Sequence, residues 1–253
     1  MELNLKGKTA IVTGGGSGLG AAICEIFAQE GANVIINYIV DEANVFKYAD
    51  YLNEKYQTSC IPLYGDITNA KDIENIIERA HDFYGRIDIL VNNAGVWPTR
   101  FVKDMTDEEW NKIININLTG TFLFSKRLVN YLLDRKARGK IINVVSQAAF
   151  HGSTSGHAHY AAAKGGVVTF TISLAREVAP HGINVTAVAP GMMRTPMNKD
   201  ALAEREEEYL KRIPLRRISD PKEVAYTIAF LASDKADYIT GATIDVTGGM
   251  LMR

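Results

Sequence analysis

Tyr160 and Lys164 stand four residues apart in the run His157-Ala-His-Tyr-Ala-Ala-Ala-Lys164-Gly165-Gly166. The alanines favour a helix, and a spacing of four places phenol and ammonium on one face, a turn apart. A free tyrosine has a pKa of about 10. A neighbouring cation favours the phenolate and moves that value down toward working pH. A phenol tuned in this way can pass a proton to or from a substrate oxygen.

The rest of the chain has to position that pair. Thr9-Ala-Ile-Val-Thr13 is a short apolar, β-branched run of the kind buried in a parallel sheet. Gly14-Gly-Gly-Ser-Gly18-Leu-Gly20 follows it, then a helix-like stretch from Ala21 to Glu30, a stop at Gly31-Ala32, and a second strand at Val34-Ile-Ile36. Strand, glycine turn, helix and strand within about thirty residues is the context in which glycines admit a pyrophosphate at a helix N-terminus. Helices are expected over Asp41–Lys55, from Thr68 or Asn69 to Tyr84, over Asp107–Arg138, through Tyr160 to Ala179, and over Pro221–Ser233. Further strands are expected at Ser59–Tyr64, Ile87–Val91, Lys140–Val145, Gly182–Val188 and Ala242–Val246. The polar stretch Thr195–Arg212 reads as a mobile helix over the site. This alternation predicts an α/β fold: one doubly wound, parallel, seven-stranded sheet with helices on both faces, in a single domain over residues 1–253. Ligands of such sheets bind beyond the carboxyl ends of the strands, where Gly14–Gly20, Asp66, Asn93, Ser146 and Pro190 converge.

Composition removes several classes of function. Hydrophobic residues are 47% and charged residues 23% of the chain, and the net charge is −1. No strong field would draw nucleic acid or an anionic membrane. The N-terminus lacks a signal peptide's apolar region, and no apolar run approaches the ~20 residues of a membrane helix. Two cysteines, Cys24 and Cys60, give neither a disulfide framework nor a metal spacing, so both are read as buried small hydrophobes. A cytoplasmic protein without a membrane or nucleic-acid partner is expected.

Taken together, Thr13-Gly-x-x-x-Gly-x-Gly20, Asp66, Asn92-Asn-Ala-Gly95, Asn117, Ser146, Tyr160-x-x-x-Lys164, Pro190-Gly191 and Thr247-Gly248-Gly249 resemble the short-chain dehydrogenase/reductase family over nearly the whole chain. The resemblance implies an NAD(P)-dependent enzyme that interconverts a secondary alcohol and a ketone. It implies Tyr160 as general acid/base, Ser146 as hydrogen-bond donor to the same oxygen, and Lys164 as holder of the nicotinamide ribose and tuner of the phenol. It implies Asn117 as holder of a water that links Lys164 to solvent. The cofactor would lie along Gly14, Ser17, Gly18, Leu19, Gly20, Tyr38, Asp66, Ile67, Asn93, Ala94 and Gly95. It would end against Tyr160, Lys164, Pro190, Gly191, Met193 and Thr195. Relatives of this length suggest a homotetramer. Two departures stand out. Asn184 and Thr186 replace the Arg and Asn of many relatives, which alters strand support, and the Ser146-to-Tyr160 interval of fourteen enlarges the loop around His151–Gly156.

Tyr38 occupies the place where NAD-dependent relatives carry Asp, while Ser17 and Ile39 lack the cation of NADP-dependent ones. Asp41 and Glu42 would repel a 2′-phosphate, which leans the reading toward NAD. Substrate contacts are expected from Ser146, Trp97, His151, His157 and Met192, with Val96, His159 and Met197–Leu210 also on the rim. The overall pattern resembles relatives acting on sugars and polyols, 3-oxoacyl-thioester reductases and hydroxysteroid dehydrogenases alike. The clustered histidines lack a carboxylate or thiolate at ligand spacing, so no metal is expected. Two other readings are a catalytically silent nicotinamide-binding sensor and an epimerase or dehydratase of the longer branch. The sensor commonly loses the Tyr or Lys that this chain keeps. The longer branch needs a further carboxy-terminal domain, whereas this chain stops at Arg253.

Overall fold

The strands are predominantly apolar because both faces of the sheet are covered. The computed structural model describes residues 2–153 and 155–253, so Met1 and Thr154 lie outside it. In chain order the strands are β1 (Thr9–Val12), β2 (Asn33–Tyr38), β3 (Cys60–Tyr64), β4 (Ile89–Asn92), β5 (Gly139–Val144), β6 (Ile183–Pro190) and β7 (Thr243–Val246). The helices are α1 (Gly18–Gln29), α2 (Glu42–Tyr56), α3 (Ala70–Tyr84), α4 (Asp107–Ile114), α5 (Gly120–Asp134), α6 (Ala148–His151), α7 (Ala158–Val178), α8 (Lys199–Arg212) and α9 (Pro221–Ala232). The strands pair in parallel in the order β3-β2-β1-β4-β5-β6-β7. Alternate residues face opposite layers. Val12, Ile36 and Val91 pack with α1, α2 and α9, while Ile11, Ile35 and Leu90 pack with α3, α5 and α7. The predicted doubly wound sheet is the observed one.

Between β1 and β4 the strand order reverses, which opens the crevice that holds ligands in such sheets. Beneath it a buried polar chain ties the catalytic layer to the sheet. Asn92 Nδ2 donates to Ser125 Oγ and Asn143 Oδ1, both at 2.9 Å, and Asn143 Nδ2 donates to Thr171 Oγ1 at 2.9 Å. Every member is paired, so the network fastens α5 and α7 without an orphaned polar group.

Two expectations change. The long helix expected over Asp107–Arg138 is α4 and α5 joined by one π-helical segment, Asn115–Thr119, with Asn117 at its centre. Widening a helix by one residue per turn re-aims side chains and occurs mostly at functional sites. Thr195–Arg212 splits into a capped turn at Pro196–Asn198 and α8, which breaks at Arg205 (φ −137°, ψ 28°). Leu202 and Tyr209 of this helix pack on Ile213 and Ile218, against Met192 and Met250. Asn184 supports the approach to β7 as anticipated: it donates to the carbonyls of Asp237 (3.0 Å) and Ile239 (3.1 Å) and accepts from Lys140 Nζ (3.0 Å).

Candidate active site

The glycine turn after β1 is held from the β4 side. Thr13 Oγ1 accepts the backbone N–H groups of Asn93 (2.9 Å) and Ala94 (3.0 Å), and Asn93 Nδ2 donates to the Thr13 carbonyl at 2.9 Å. A Cβ on Gly14, which has φ +62°, would lie 3.1 Å from Ala94 Cα. Glycine there lets the two strand-end loops touch. Helix α1 begins directly beyond. Its N-cap Ser17 makes no side-chain capping bond, and its first turn carries no acidic residue. Gly18, Leu19 and Gly20 line the cavity, so the uncapped amide end of α1 borders open space. Unsatisfied N–H groups with the positive end of the helix dipole suit a pyrophosphate.

Tyr160 and Lys164 lie on one face of α7, with Lys164 Nζ 5.8 Å from the Tyr160 ring centroid. Lys164 is buried and donates to the Val144 carbonyl at 2.7 Å. Ser146, just past β5, accepts the Ala148 N–H at 3.1 Å. That bond occupies a lone pair and leaves the hydroxyl hydrogen to donate. Asn117 is fully buried. Its Oδ1 accepts the Val96 N–H (3.2 Å), and its Nδ2 donates to the carbonyls of Val96 and Ile113, both at 3.1 Å. A Cβ on Gly95 would stand 2.5 Å from Asn117 Oδ1 and 3.6 Å from Lys164 Nζ. Gly95, Asn117 and Lys164 therefore meet at one point. With its carboxamide engaged by Val96 and Ile113, Asn117 acts as a positioning residue for the β4 loop.

The protonation states differ from the expectation drawn from spacing. Burial pushes the Tyr160 phenol up to about 12, and the Ser146 hydroxyl opposes that rise. Burial likewise pushes Lys164 down to about 8. Desolvation disfavours both charged forms and outweighs the mutual attraction expected of a neighbouring phenol and ammonium. At neutral pH the free protein thus holds a protonated phenol beside a lysine close to its titration point.

All these groups line a single cavity of about 800 Å³, which runs from Tyr38 and Asp66 to Tyr160 and Met250. The remaining cofactor candidates, Ser17, Ile67, Pro190, Gly191, Met193 and Thr195, line it too. Asp66 is fixed there because its Oδ1 accepts both the N–H and the hydroxyl of Thr68, each at 2.8 Å. Tyr38 is wedged edge-on against Phe46 and Tyr64. Burial, then the Glu42 carboxylate, pushes its phenol up. An elongated cavity with an amide-lined middle, a carboxylate at one end and the Tyr160 group at the other fits a nicotinamide dinucleotide.

On the substrate side Val96, Trp97, His151, Met192 and Met197 line the cavity, and His157 and His159 do not. His157 is only 2% exposed and stacks on Trp97 at 4.2 Å between ring centroids and 7° between planes. Its Nε2 meets Thr99 Oγ1 at 3.1 Å and its Nδ1 meets Ser155 Oγ at 3.1 Å. His157 is thus a buried prop that sets the Trp97 indole, in place of the substrate contact expected. His159 accepts the Tyr160 N–H at 3.0 Å from within the helix. Burial pushes the His157 imidazole down from 6.5 to about 4, so in the fold it stays neutral while the unfolded chain takes a proton. Its contribution to stability is complete above pH 6.5 and is lost as pH falls toward 4. Between those limits wild type should lose about 2 kcal/mol more than His157→Gln. Urea midpoints across that range check this, and parallel slopes would contradict it.

Thr13, Gln147, Arg212 and Met250 also belong to the site or its support, and sequence reasoning did not assign them, whereas Tyr209 falls within the expected Met197–Leu210 rim. Thr13 sits inside the glycine motif and Gln147 directly follows Ser146, so both were within reach. Arg212 and Met250 arrive by tertiary packing. Among the described residues, no group of three or more His, Cys, Asp or Glu side chains could hold a metal, and no helix is long and apolar enough to cross a membrane.

Over residues 14–251 the chain matches the family described as enoyl-(acyl carrier protein) reductase. It is 42% identical over 250 residues to the 3-oxoacyl-(acyl-carrier-protein) reductase FabG of Vibrio cholerae, covering 99% of this chain and 100% of that protein. FabG of Thermotoga maritima is 39% identical over 252 residues, with the same coverage. A Brucella melitensis structure described as a short-chain dehydrogenase/reductase, glucose/ribitol dehydrogenase, superposes with a TM-score of 0.92 at 34% identity and covers both chains fully. With its glycine turn, Asn117, Ser146, Tyr160 and Lys164 gathered on one cavity, the chain belongs to the short-chain dehydrogenase/reductase family of NAD(P)-dependent oxidoreductases.

Proposed function

We propose that this protein reduces the ketone of a 3-oxoacyl thioester to the secondary alcohol, and runs the reverse oxidation, with NADH preferred over NADPH. The observation that carries the reading is the placement of Tyr160, Ser146 and Lys164 on the same cavity as the glycine turn, Tyr38 and Asp66. A nicotinamide dinucleotide bound in this cavity would supply the hydride for the carbonyl carbon. Ser146, its hydrogen free, donates to the carbonyl oxygen and fixes its place. Tyr160 gives its phenolic proton to the same oxygen as the carbonyl bond becomes a single bond, and in oxidation it takes that proton back. Lys164 would hold the ribose hydroxyls of that cofactor and stabilise the phenolate left behind, while Asn117 braces the Val96 backbone beside it.

The 3-oxoacyl substrate is supported by the FabG relatives, which are named for that reaction. The NADH preference is supported by the β2 end of the cavity. Lys112, Lys164 and Arg212 are the lysines and arginines among its described lining residues, and none lies on the 37–40 or 65–68 segments. The Glu42 carboxylate, which acts on the Tyr38 phenol at that end, would repel a 2′-phosphate. Assembly as a homotetramer is supported by Trp110, Phe122 and Ile172, left exposed on α4, α5 and α7. Light scattering that found a monomer would remove that part. The reading as a whole is tested with an acetoacetyl thioester and each reduced cofactor, followed by nicotinamide absorbance. Turnover with kcat/KM at least about tenfold higher for NADH is expected, equivalent to about 1.4 kcal/mol of discrimination. Turnover with NADPH alone would reverse the cofactor assignment.

A further inference from the structure

Among the described residues that line the cavity, Gln147 carries the one buried side-chain polar atom left without a hydrogen-bond partner. It follows Ser146 directly at the end of β5 and is 9% exposed. Its backbone is fixed, since its N–H donates to the Pro190 carbonyl at 3.2 Å and its own carbonyl accepts from Phe150 at 3.0 Å. Its Oε1 is buried with no partner among the described residues. Its Nε2 meets only the Met250 sulfur, at 3.2 Å. A thioether is a weak acceptor, and a buried carbonyl oxygen that the protein leaves unpartnered is costly to keep. Apolar residues would pack that position without the cost. Met250 also lines the cavity, on the carboxy-terminal segment that Arg253 fastens through Asp245 (3.0 Å) and the Phe150 ring (3.7 Å). Phe150 and Gln147 both belong to the turn after Ser146, so the segment and the carboxamide are held as one wall. The terminal torsion of glutamine is broad, so the carboxamide can turn from the sulfur toward a ligand at little rotamer cost.

We propose that Gln147 is a specificity-determining residue: its Oε1 accepts a hydrogen bond from an N–H or O–H group that the substrate carries near the reacting carbonyl. Resting on the oxidoreductase reading above, this adds that the favoured ketones bear such a donor. Two sources share the chemistry, the amide N–H of a thioester's pantetheine-like arm and a second hydroxyl of a hydroxyketone. A site built around a buried acceptor rejects an analogue lacking the donor, because the acceptor is then left unpaired.

Two substrate pairs separate the sources. The N-acetylcysteamine thioester of acetoacetate is compared with its S-ethyl thioester, and 4-hydroxybutan-2-one with butan-2-one. Wild type should show kcat/KM about tenfold to a hundredfold higher for the donor-bearing member of one pair, the range expected for one unmet buried acceptor. The pair that discriminates names the source. In Gln147→Leu that ratio should collapse toward unity. In Gln147→Glu, which keeps acceptor oxygens, it should persist. Equal kcat/KM within both pairs for wild type would overturn the proposal even if neither variant folds. So would a ratio that survives in Gln147→Leu. Absence of turnover on all four ketones would instead count against the oxidoreductase reading itself.

Discussion

Tyr160→Phe should lower kcat for ketone reduction by about 10³-fold while leaving the cofactor dissociation constant within about threefold of wild type. The substitution deletes one hydroxyl and keeps the ring that stands 5.8 Å from Lys164 and forms the cavity wall, so the binding surface survives. What goes is the group placed to hand a proton to an oxygen held by Ser146. Stopped-flow turnover and a titration of cofactor fluorescence separate the two quantities. A variant that still turned over at a tenth of the wild-type rate would remove Tyr160 from its role. The pH dependence has a definite sign. The phenol, pushed up to about 12, keeps its proton at neutral pH, which is the state reduction needs. Reduction should therefore decline as pH rises through about 8, where Lys164 loses its charge. Alcohol oxidation, which needs the phenolate, should instead gain with rising pH over the neutral range.

Gly20→Ala should weaken dinucleotide binding by at least about a hundredfold and lower the melting temperature, because overpacking a site that cannot give costs about 1–3 kcal/mol in stability alone. A Cβ at Gly20 would collide with the Gly14 carbonyl oxygen and stand 2.7 Å from Asn93 Nδ2. The first obstacle is backbone. The second side chain is already committed to the Thr13 and Gly14 carbonyls, at 2.9 and 3.2 Å. Neither can retreat without moving the start of α1 away from β4, which opens the amide-lined middle of the cavity. Calorimetric titration with NADH and a thermal melt measure the two effects. Near-wild-type affinity would mean that the cofactor does not lie across this turn.

Much of this was legible in the sequence, and the reason is local. Strand β1, the glycine turn and α1 are contiguous, and the four-residue spacing of Tyr160 and Lys164 survives in any helix. The predominantly apolar strands announced a sheet covered on both faces. The π-helical turn at Asn117 left no trace, because one extra residue in a helical turn does not disturb the apolar pattern of the α4–α5 stretch. The protonation states were misjudged because burial, a property of the assembled fold, outweighs the neighbouring charge that spacing reveals. His157 was read as a ligand contact because its type suits one. Only the Trp97 ring lying on it explains why it turns away from the cavity. Gln147 and Met250 lie 103 positions apart, a distance no local pattern bridges.

The central claim, that this cavity carries out a carbonyl-to-alcohol conversion with a nicotinamide dinucleotide, is tested most directly by the product. Wild-type protein is incubated with acetoacetyl thioester and a measured amount of NADH, and the mixture is resolved by mass spectrometry. One 3-hydroxybutyryl thioester formed for each cofactor oxidised, and none with Tyr160→Phe over the same interval, is the predicted result. Unchanged thioester with unconsumed cofactor, across the ketones named above and both cofactors, would contradict it.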